Sequence, residues 1–134
     1  MLRERVCLAL LLVGIAISAG GCMVVAVGAG AVGTVAYLKG DLEAVEAANL
    51  NTVHKATLKA LDELELRVTR QSKDVLSAEI IARDAADQKV TIKLKATTEN
   101  TTKLSIRIGF FGSETKSRFI YQKIHDNLRQ QHSA

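Results

Sequence analysis

The sequence has no tryptophan and no proline, and aromatic residues make up only 4% of its 134 residues. Proteins that bind single-stranded nucleic acid usually stack bases on aromatic side chains, so this composition argues against such a site. The chain also lacks the Gly-x-Ser-x-Gly, His-Glu-x-x-His and phosphate-loop patterns. Those patterns carry nucleophilic, zinc-dependent and phosphate-binding chemistry, and without them the sequence indicates no enzyme.

Metal ligands and a concentrated charge are absent as well. No histidine has a cysteine, a second histidine or a carboxylate pair at ligand spacing; the three are His54, His125 and His132. We therefore predict no metal and no other cofactor. The 18 Lys+Arg and 14 Asp+Glu give a formal net charge of +4, without a basic run. This balance favours no nucleic-acid partner, and the length suits one domain.

The amino terminus has the three parts of a secretory signal. Arg3 and Arg5 precede an apolar run from Val6 to Ser18, and small residues follow at 19–21, directly before Cys22. This arrangement resembles the lipobox of bacterial lipoproteins. The resemblance implies cleavage before Cys22 and attachment of fatty acyl chains, palmitate among them, to that residue.

Two neighbours of the cysteine refine this prediction. Ala19 stands where lipoboxes usually have Leu, Val or Ile. Met23 stands where Asp typically retains lipoproteins at the inner membrane, so the resemblance implies an outer-membrane anchor facing the periplasm. Cleavage would remove Cys7 and leave Cys22 as the single cysteine, so no disulfide is expected within the mature chain.

The alternative is an uncleaved, single-pass inner-membrane protein with a periplasmic domain. The run from Val6 to Leu38 contains no charged residue, and about 20 apolar residues suffice to cross a bilayer. Six glycines in that run, at 14, 20, 21, 28, 30 and 33, weigh against one regular helix. The sequence leaves the oligomeric state open.

A glycine-rich stretch, Met23–Leu38, follows the cysteine. Its Gly28, Gly30 and Gly33 match a dinucleotide-binding fingerprint, which requires an acidic residue about 20 positions later. Thr52–His54 occupy that place, so we reject a nucleotide site. Small residues four apart instead permit close helix contacts in lipid. The sequence leaves open whether the stretch lies in the bilayer surface, self-associates or is a loose tether.

We predict three segments in the chain. They are a signal peptide at 1–21, a lipidated cysteine and tether at 22–40, and a periplasmic domain at 41–131.

The domain is predicted to be α+β. A helix capped by Asp41 would run to about Leu64, with Glu43 and Glu46 facing solvent. Its buried face is indicated by residues that recur with helical spacing, namely Val53, Ala56, Thr57, Ala60, Leu61 and Leu64.

The period then changes from helical spacing to alternation. Alternation predicts strands at Leu66–Arg70, Val75–Arg83, Lys89–Ala96 and Lys103–Ile108. Ser113 would cap a last helix to about Gln130, whose apolar stripe is Phe119, Ile120, Ile124 and Leu128. The expected architecture is a two-layer sandwich of helix, three or four antiparallel strands, and helix.

Two surface features are candidate binding sites. The outward face of the two clearest strands carries five cations, namely Lys89, Lys93, Lys95, Lys103 and Arg107. They suit anionic lipid head groups or an acidic envelope protein, although a one-sided sheet needs a polar face in any case. Phe110 and Phe111 lie in a loop between two glycines. One ring is expected to close the core, and the alternative is a docking knob.

Several segments resemble one family of small Gram-negative lipoproteins whose domain has no assigned function. The matching segments are Ala56–Leu61, Lys89–Leu94, and Thr102–Gly109 with Gly112, followed by Ser117 and Ile124. The resemblance extends from about Cys22 to Leu128 and implies a periplasmic lipoprotein without catalytic residues. We therefore expect a non-enzymatic envelope lipoprotein that binds or scaffolds.

Overall fold

The computed structural model describes residues 34–134. The predicted signal peptide, Cys22 and the glycine-rich residues up to Gly33 lie outside the described residues. The described elements, in chain order, are β1 (Val35–Leu38), β2 (Asp41–Glu46), α1 (Leu50–Glu63), β3 (Arg67–Lys73), β4 (Ser77–Arg83), β5 (Lys89–Thr98), β6 (Thr101–Ile108) and α2 (Glu114–Ser133).

The six strands form one antiparallel sheet in the order β1-β2-β6-β5-β4-β3. Strands β3 to β6 follow one another as a meander, and β6 then pairs with β2, which precedes α1 in the chain. The helices lie side by side on one face, with α1 mainly over β4 and β5 and α2 over β2 and β6. The sheet thus has a helix-covered face and an open face, in the two-layer α+β arrangement that the alternation predicted.

The described sheet has six strands, more than the three or four that the sequence predicted. Asp41–Glu46 forms β2 instead of the first turns of a helix, and Leu42 and Ala44 are buried against the helices. The helix begins later because Asn49 caps it, with its side-chain oxygen accepting from the Thr52 backbone N–H at 2.9 Å. In a stretch as short as β2, apolar residues fit either period, and pairing with β6 determines which one forms.

Strand β1 lies inside the segment predicted as a tether. It joins β2 through a tight turn in which Lys39 and Gly40 both have positive φ, at 53° and 89°. Two-residue hairpin turns with two positive φ values match the right-handed twist of paired strands. The glycine-rich stretch therefore ends in a hairpin that belongs to the sheet.

The two central strands confirm the predicted alternation. Val90, Ile92 and Leu94 of β5, and their counterparts on β6, face the helices and are buried, while the lysines between them face outwards. On α2, Ile120, Ile124 and Leu128 are buried as predicted. Phe119 is exposed, so its place in the apolar stripe was wrong; the buried stripe includes Tyr121 on its other side.

The predicted phase of β3 was wrong beyond its first residues. Val68 pairs with the buried Ala82, whereas Arg70 pairs with Ile81 on the open face. The bulge between them accommodates Thr69 as an extra residue, which shifts the following side chains to the opposite face. A period of two cannot reveal such an insertion.

A polar cluster joins α2 to β2 within the core. Glu46, only 6% exposed, accepts a hydrogen bond from the Tyr121 hydroxyl at 2.6 Å, and His125 Nδ1 lies 3.1 Å from the same carboxylate oxygen. Burial and the adjacent carboxylate raise the pKa of Tyr121, which keeps its hydroxyl a donor. Glu46 was predicted to face solvent on a helix, and that prediction was wrong because the residue belongs to β2 and is buried against α2.

His54 gives the fold a testable dependence on pH. Burial, and secondarily the charge of Lys73, lowers the pKa of His54 below its ordinary 6.5. Its Nε2 is buried without a hydrogen-bond partner in the described part of the chain. Because the unfolded chain binds this proton more readily, the free energy of unfolding should fall as pH drops below about 6.5.

We expect His54→Gln to reduce the loss of unfolding free energy between about pH 7.5 and about pH 5.5, measured by denaturant titration. His132→Gln is the matched control, since His132 is exposed near the end of α2. An identical pH dependence in the His54 variant and the parent protein would contradict the prediction.

Candidate functional site: the open sheet face and its aromatic tip

The five predicted cations all lie on the open face of the sheet. Lys89, Lys93 and Lys95 project from β5, and Lys103 and Arg107 project from β6 beside them. The register places Lys95 opposite Lys103, while Arg107 lies opposite Thr91, two residues from Lys89. Paired residues on one face of antiparallel strands have Cβ atoms about 5 Å apart, so the five side chains share one surface.

The half of this surface that adjoins β2 is electrically compensated. Lys103 forms an ion pair with Glu43 at 3.1 Å, and Arg107 forms one with Asp41 at 2.8 Å. Sequence reasoning missed both pairs because it assigned these carboxylates to a helix. The strand assignment of β2 thus also determines which cations are free.

Three cations remain uncompensated, and we call Lys89, Lys93 and Lys95 the basic strip. None of them is in an ion pair among residues 34–134, although Glu79 of β4 lies opposite Lys93 in register. Lys89 and Lys93 of the strip line a depression of about 290 Å³ together with Arg107, Thr91, Ser105, Ile81 and two carboxylates, Asp41 and Glu79. The depression therefore has mixed charge, and the surplus of positive charge lies along β5.

Further cations on the open face escaped the sequence analysis. Arg70 faces outwards because of the bulge, and Arg67 and Arg83 lie opposite each other in register. The latter two share Asp87 in weak ion pairs of 3.7 and 3.8 Å. The alternation put Arg70 on the same face as Val68, because a pattern of period two does not reveal the bulge at Thr69. These three arginines extend the cations of the open face to the sheet edge.

Residues 34–134 contain no group of three potential metal ligands. The described helices also include none that is long and apolar enough to cross a bilayer.

An exposed aromatic pair forms the end of the domain where β6 meets α2. Phe110 and Phe111 are 85% and 88% exposed, and their rings pack edge to face with centroids 5.0 Å apart. The expectation that one ring closes the core was wrong. Leu38, at the neighbouring end of β1, is also exposed. We call Leu38, Phe110 and Phe111 the aromatic tip.

Arg107 joins the two segments that form the tip, which are the β1–β2 turn and the loop between β6 and α2. Its guanidinium donates to the Asp41 carboxylate at 2.8 Å, to the Lys39 carbonyl at 2.7 Å and to the Phe110 carbonyl at 2.9 Å. The hydrogen bond and attraction to Asp41 raise the pKa of Arg107, which stays charged. A planar guanidinium with several donors is suited to such multiple contacts. Arg107 therefore positions the tip in addition to lying on the cationic face.

Two glycines allow the turns to approach closely. Gly40 and Gly112 have φ of 89° and 82°, and a Cβ on Gly112 would lie 2.6 Å from the Gly40 Cα and 2.6 Å from the Tyr37 hydroxyl. It would also overlap the Gly40 carbonyl oxygen. No side chain fits between the two turns, so the loop carrying the phenylalanines is closely packed against the hairpin.

Residues 5–127 match the family described as "Protein of unknown function (DUF3568)". The chain belongs to the DUF3568 family. No protein with a curated description matches it. The match covers all six strands of the DUF3568 domain and most of α2, so the cationic face and the aromatic tip both lie within the family domain.

The close packing at the tip of the DUF3568 domain predicts different costs for two glycine substitutions. Gly112→Ala should lower the free energy of unfolding by at least about 2 kcal/mol, because a left-handed alanine costs roughly 1–2 kcal/mol before any overlap. Gly109→Ala, with φ of 68°, meets only the flexible Gln88 side chain at 3.3 Å and should cost about 1 kcal/mol. Denaturant titration measures both, and equal costs would contradict the close approach.

Proposed function

We propose that this DUF3568 protein is a non-enzymatic lipoprotein of a Gram-negative cell envelope. Its soluble domain would be anchored through Cys22, on the periplasmic side of the outer membrane, and would present a basic surface to an anionic envelope partner. The partner class comprises anionic lipid head groups and acidic envelope proteins.

The anchor is supported by the sequence before β1. The charged start, the apolar run and the small residues before Cys22 form a signal of the lipoprotein type. Several acyl chains on one cysteine give stable attachment, whereas a single chain binds a membrane only marginally. The DUF3568 match begins at residue 5, within this segment.

The observation that carries the binding role is the uncompensated basic strip on an uncovered sheet face. Both helices lie on the other face, so the strip is accessible in the described domain. Two of the surrounding cations already have carboxylate partners, yet Lys89, Lys93 and Lys95 are in no ion pair within residues 34–134. Free cations grouped on a flat face attract an anionic surface through several simultaneous contacts, each worth about 1 kcal/mol near such a membrane.

Intact-mass measurement of the protein from a membrane fraction tests the anchor. We expect the mass of residues 22–134 plus added acyl chains, because cleavage precedes the modified cysteine. Cys22→Ser should abolish both the acyl mass and the cleavage. An unmodified full-length chain would contradict lipidation and favour the uncleaved inner-membrane protein.

Charge reversal on the basic strip tests the binding role. Lys93→Glu with Lys95→Glu in residues 34–134 should weaken sedimentation with anionic vesicles at least about tenfold, since two attractive contacts are lost. The matched control is Lys55→Glu with Arg129→Glu, which changes the net charge equally on the helix layer.

The two variants should differ only in binding. Circular dichroism should show the parent spectrum for both, because all four side chains are exposed. If the control weakens binding as much as the strip variant, net charge alone governs association, and the proposed role of the strip fails.

A further inference from the structure

The aromatic tip is an unusual use of the few aromatic side chains in this protein. Two of its three phenylalanines stand almost fully exposed, side by side, on the loop between Gly109 and Gly112. A soluble domain ordinarily gains by burying such side chains. A contiguous exposed apolar group indicates a contact surface for an apolar environment.

The tip is rigid before it meets any partner. Arg107 joins the β1–β2 turn to the Phe110 carbonyl, and Gly40 packs directly against Gly112. The rings also support each other edge to face. A preorganised apolar surface loses little conformational freedom on binding, so more of the contact energy appears as affinity.

The charges around the tip match an anionic surface. Its acidic neighbours are already paired, Asp41 with Arg107 and Glu114 with Arg118. Lys39, in the turn beside Leu38, and Lys89, whose carbonyl accepts from the Gly109 N–H, are in no ion pair in the described domain. Exposed aromatic rings flanked by free lysines suit the boundary between anionic head groups and acyl chains.

We propose that the aromatic tip inserts Phe110 and Phe111 into the interface of an anionic membrane and docks the domain there. A lipid surface fits better than a protein groove because the two rings stand 85% and 88% exposed at the end of the sheet, and Lys39 and Lys89 beside them are in no ion pair within residues 34–134. The inference rests on the proposed function in one respect, which is the anchor that keeps the domain beside a bilayer.

The position of the tip is compatible with that anchor. The chain enters the sheet at Val35, which pairs with Ala44 towards the far end of β2, whereas the tip adjoins Asp41. Strand β2 spans roughly 20 Å, and the dozen or so residues after Cys22 reach at most about 40 Å when extended. The tether is therefore long enough for tip and anchor to meet the same membrane.

The absence of tryptophan makes a direct test available. Phe111→Trp would give the full-length chain a single tryptophan at the tip, and Val75→Trp would place one in the β3–β4 turn, 90% exposed at the opposite end of the sheet. Each protein is reconstituted into vesicles of phosphatidylethanolamine and phosphatidylglycerol that contain brominated lipid. Tryptophan emission and its quenching by bromine report insertion.

We expect blue-shifted emission at position 111 and quenching at least about twofold stronger than at position 75, since interfacial groups lie within about 5–10 Å of the acyl boundary. Adding Lys39→Glu and Lys89→Glu to Phe111→Trp should reduce the quenching, whereas adding Lys55→Glu and Arg129→Glu should leave it unchanged. Water-like emission at position 111, or equal quenching at both positions, would overturn the proposal.

A blue shift at position 111 that appears only after envelope proteins are added, without quenching by bromine, would also overturn it and identify a protein groove as the occupant. Failure of the anchor gives a different result. A chain without acyl mass whose position 111 is still quenched contradicts lipidation at Cys22 and supports insertion of the tip.

Discussion

The arrangement of this domain depends on the position of β6 between β2 and β5. On one face, β6 contributes Leu104, Ile106 and Ile108 to the core under the helices. On the other face, it brings Lys103 and Arg107 beside the carboxylates of β2. A shift of one residue would exchange these faces, placing the charges in the core and the isoleucines in water. The register is therefore fixed by burial, and the ion pairs and the Arg107 contacts follow from it.

That single register also divides the open face by charge. Beside β2, cations meet carboxylates, and the surface is nearly neutral. On β5, the three lysines are in no ion pair within residues 34–134, and towards β3 two arginines share only the long ion pairs to Asp87. The aromatic tip lies where these two halves meet the end of the sheet, since Arg107 reaches the turn and Lys89 lies beside Gly109. A basic face and an apolar tip on one rigid domain are a combination suited to an anionic membrane or an acidic protein surface.

The elements that could be predicted from the sequence were those with a long and regular hydrophobic pattern. Strands β5 and β6 alternate over eight or more residues, and α2 repeats its apolar positions over several turns, so their type and buried faces were readable. Strand β2 has six residues, too few to distinguish alternation from the start of the helix that follows. Strand β1 has four, next to a long apolar run, and the bulge of β3 leaves no mark in composition. Those elements are stabilised by backbone hydrogen bonds to neighbouring strands, which no local pattern contains.

The sequence by itself determined a helix layer over an antiparallel sheet and a strand whose lysines face away from the core, because both are encoded in local spacing. The placement of Cys22 directly after a signal-like segment is likewise visible in the sequence alone. Tertiary structure decided which cations are neutralised, that Glu46 is buried against Tyr121, and that both phenylalanines remain in water. Those outcomes depend on residues tens of positions apart. Asp41 reaches Arg107 only because β2, which precedes α1, pairs with β6, the last strand along the chain. No local pattern contains that pairing.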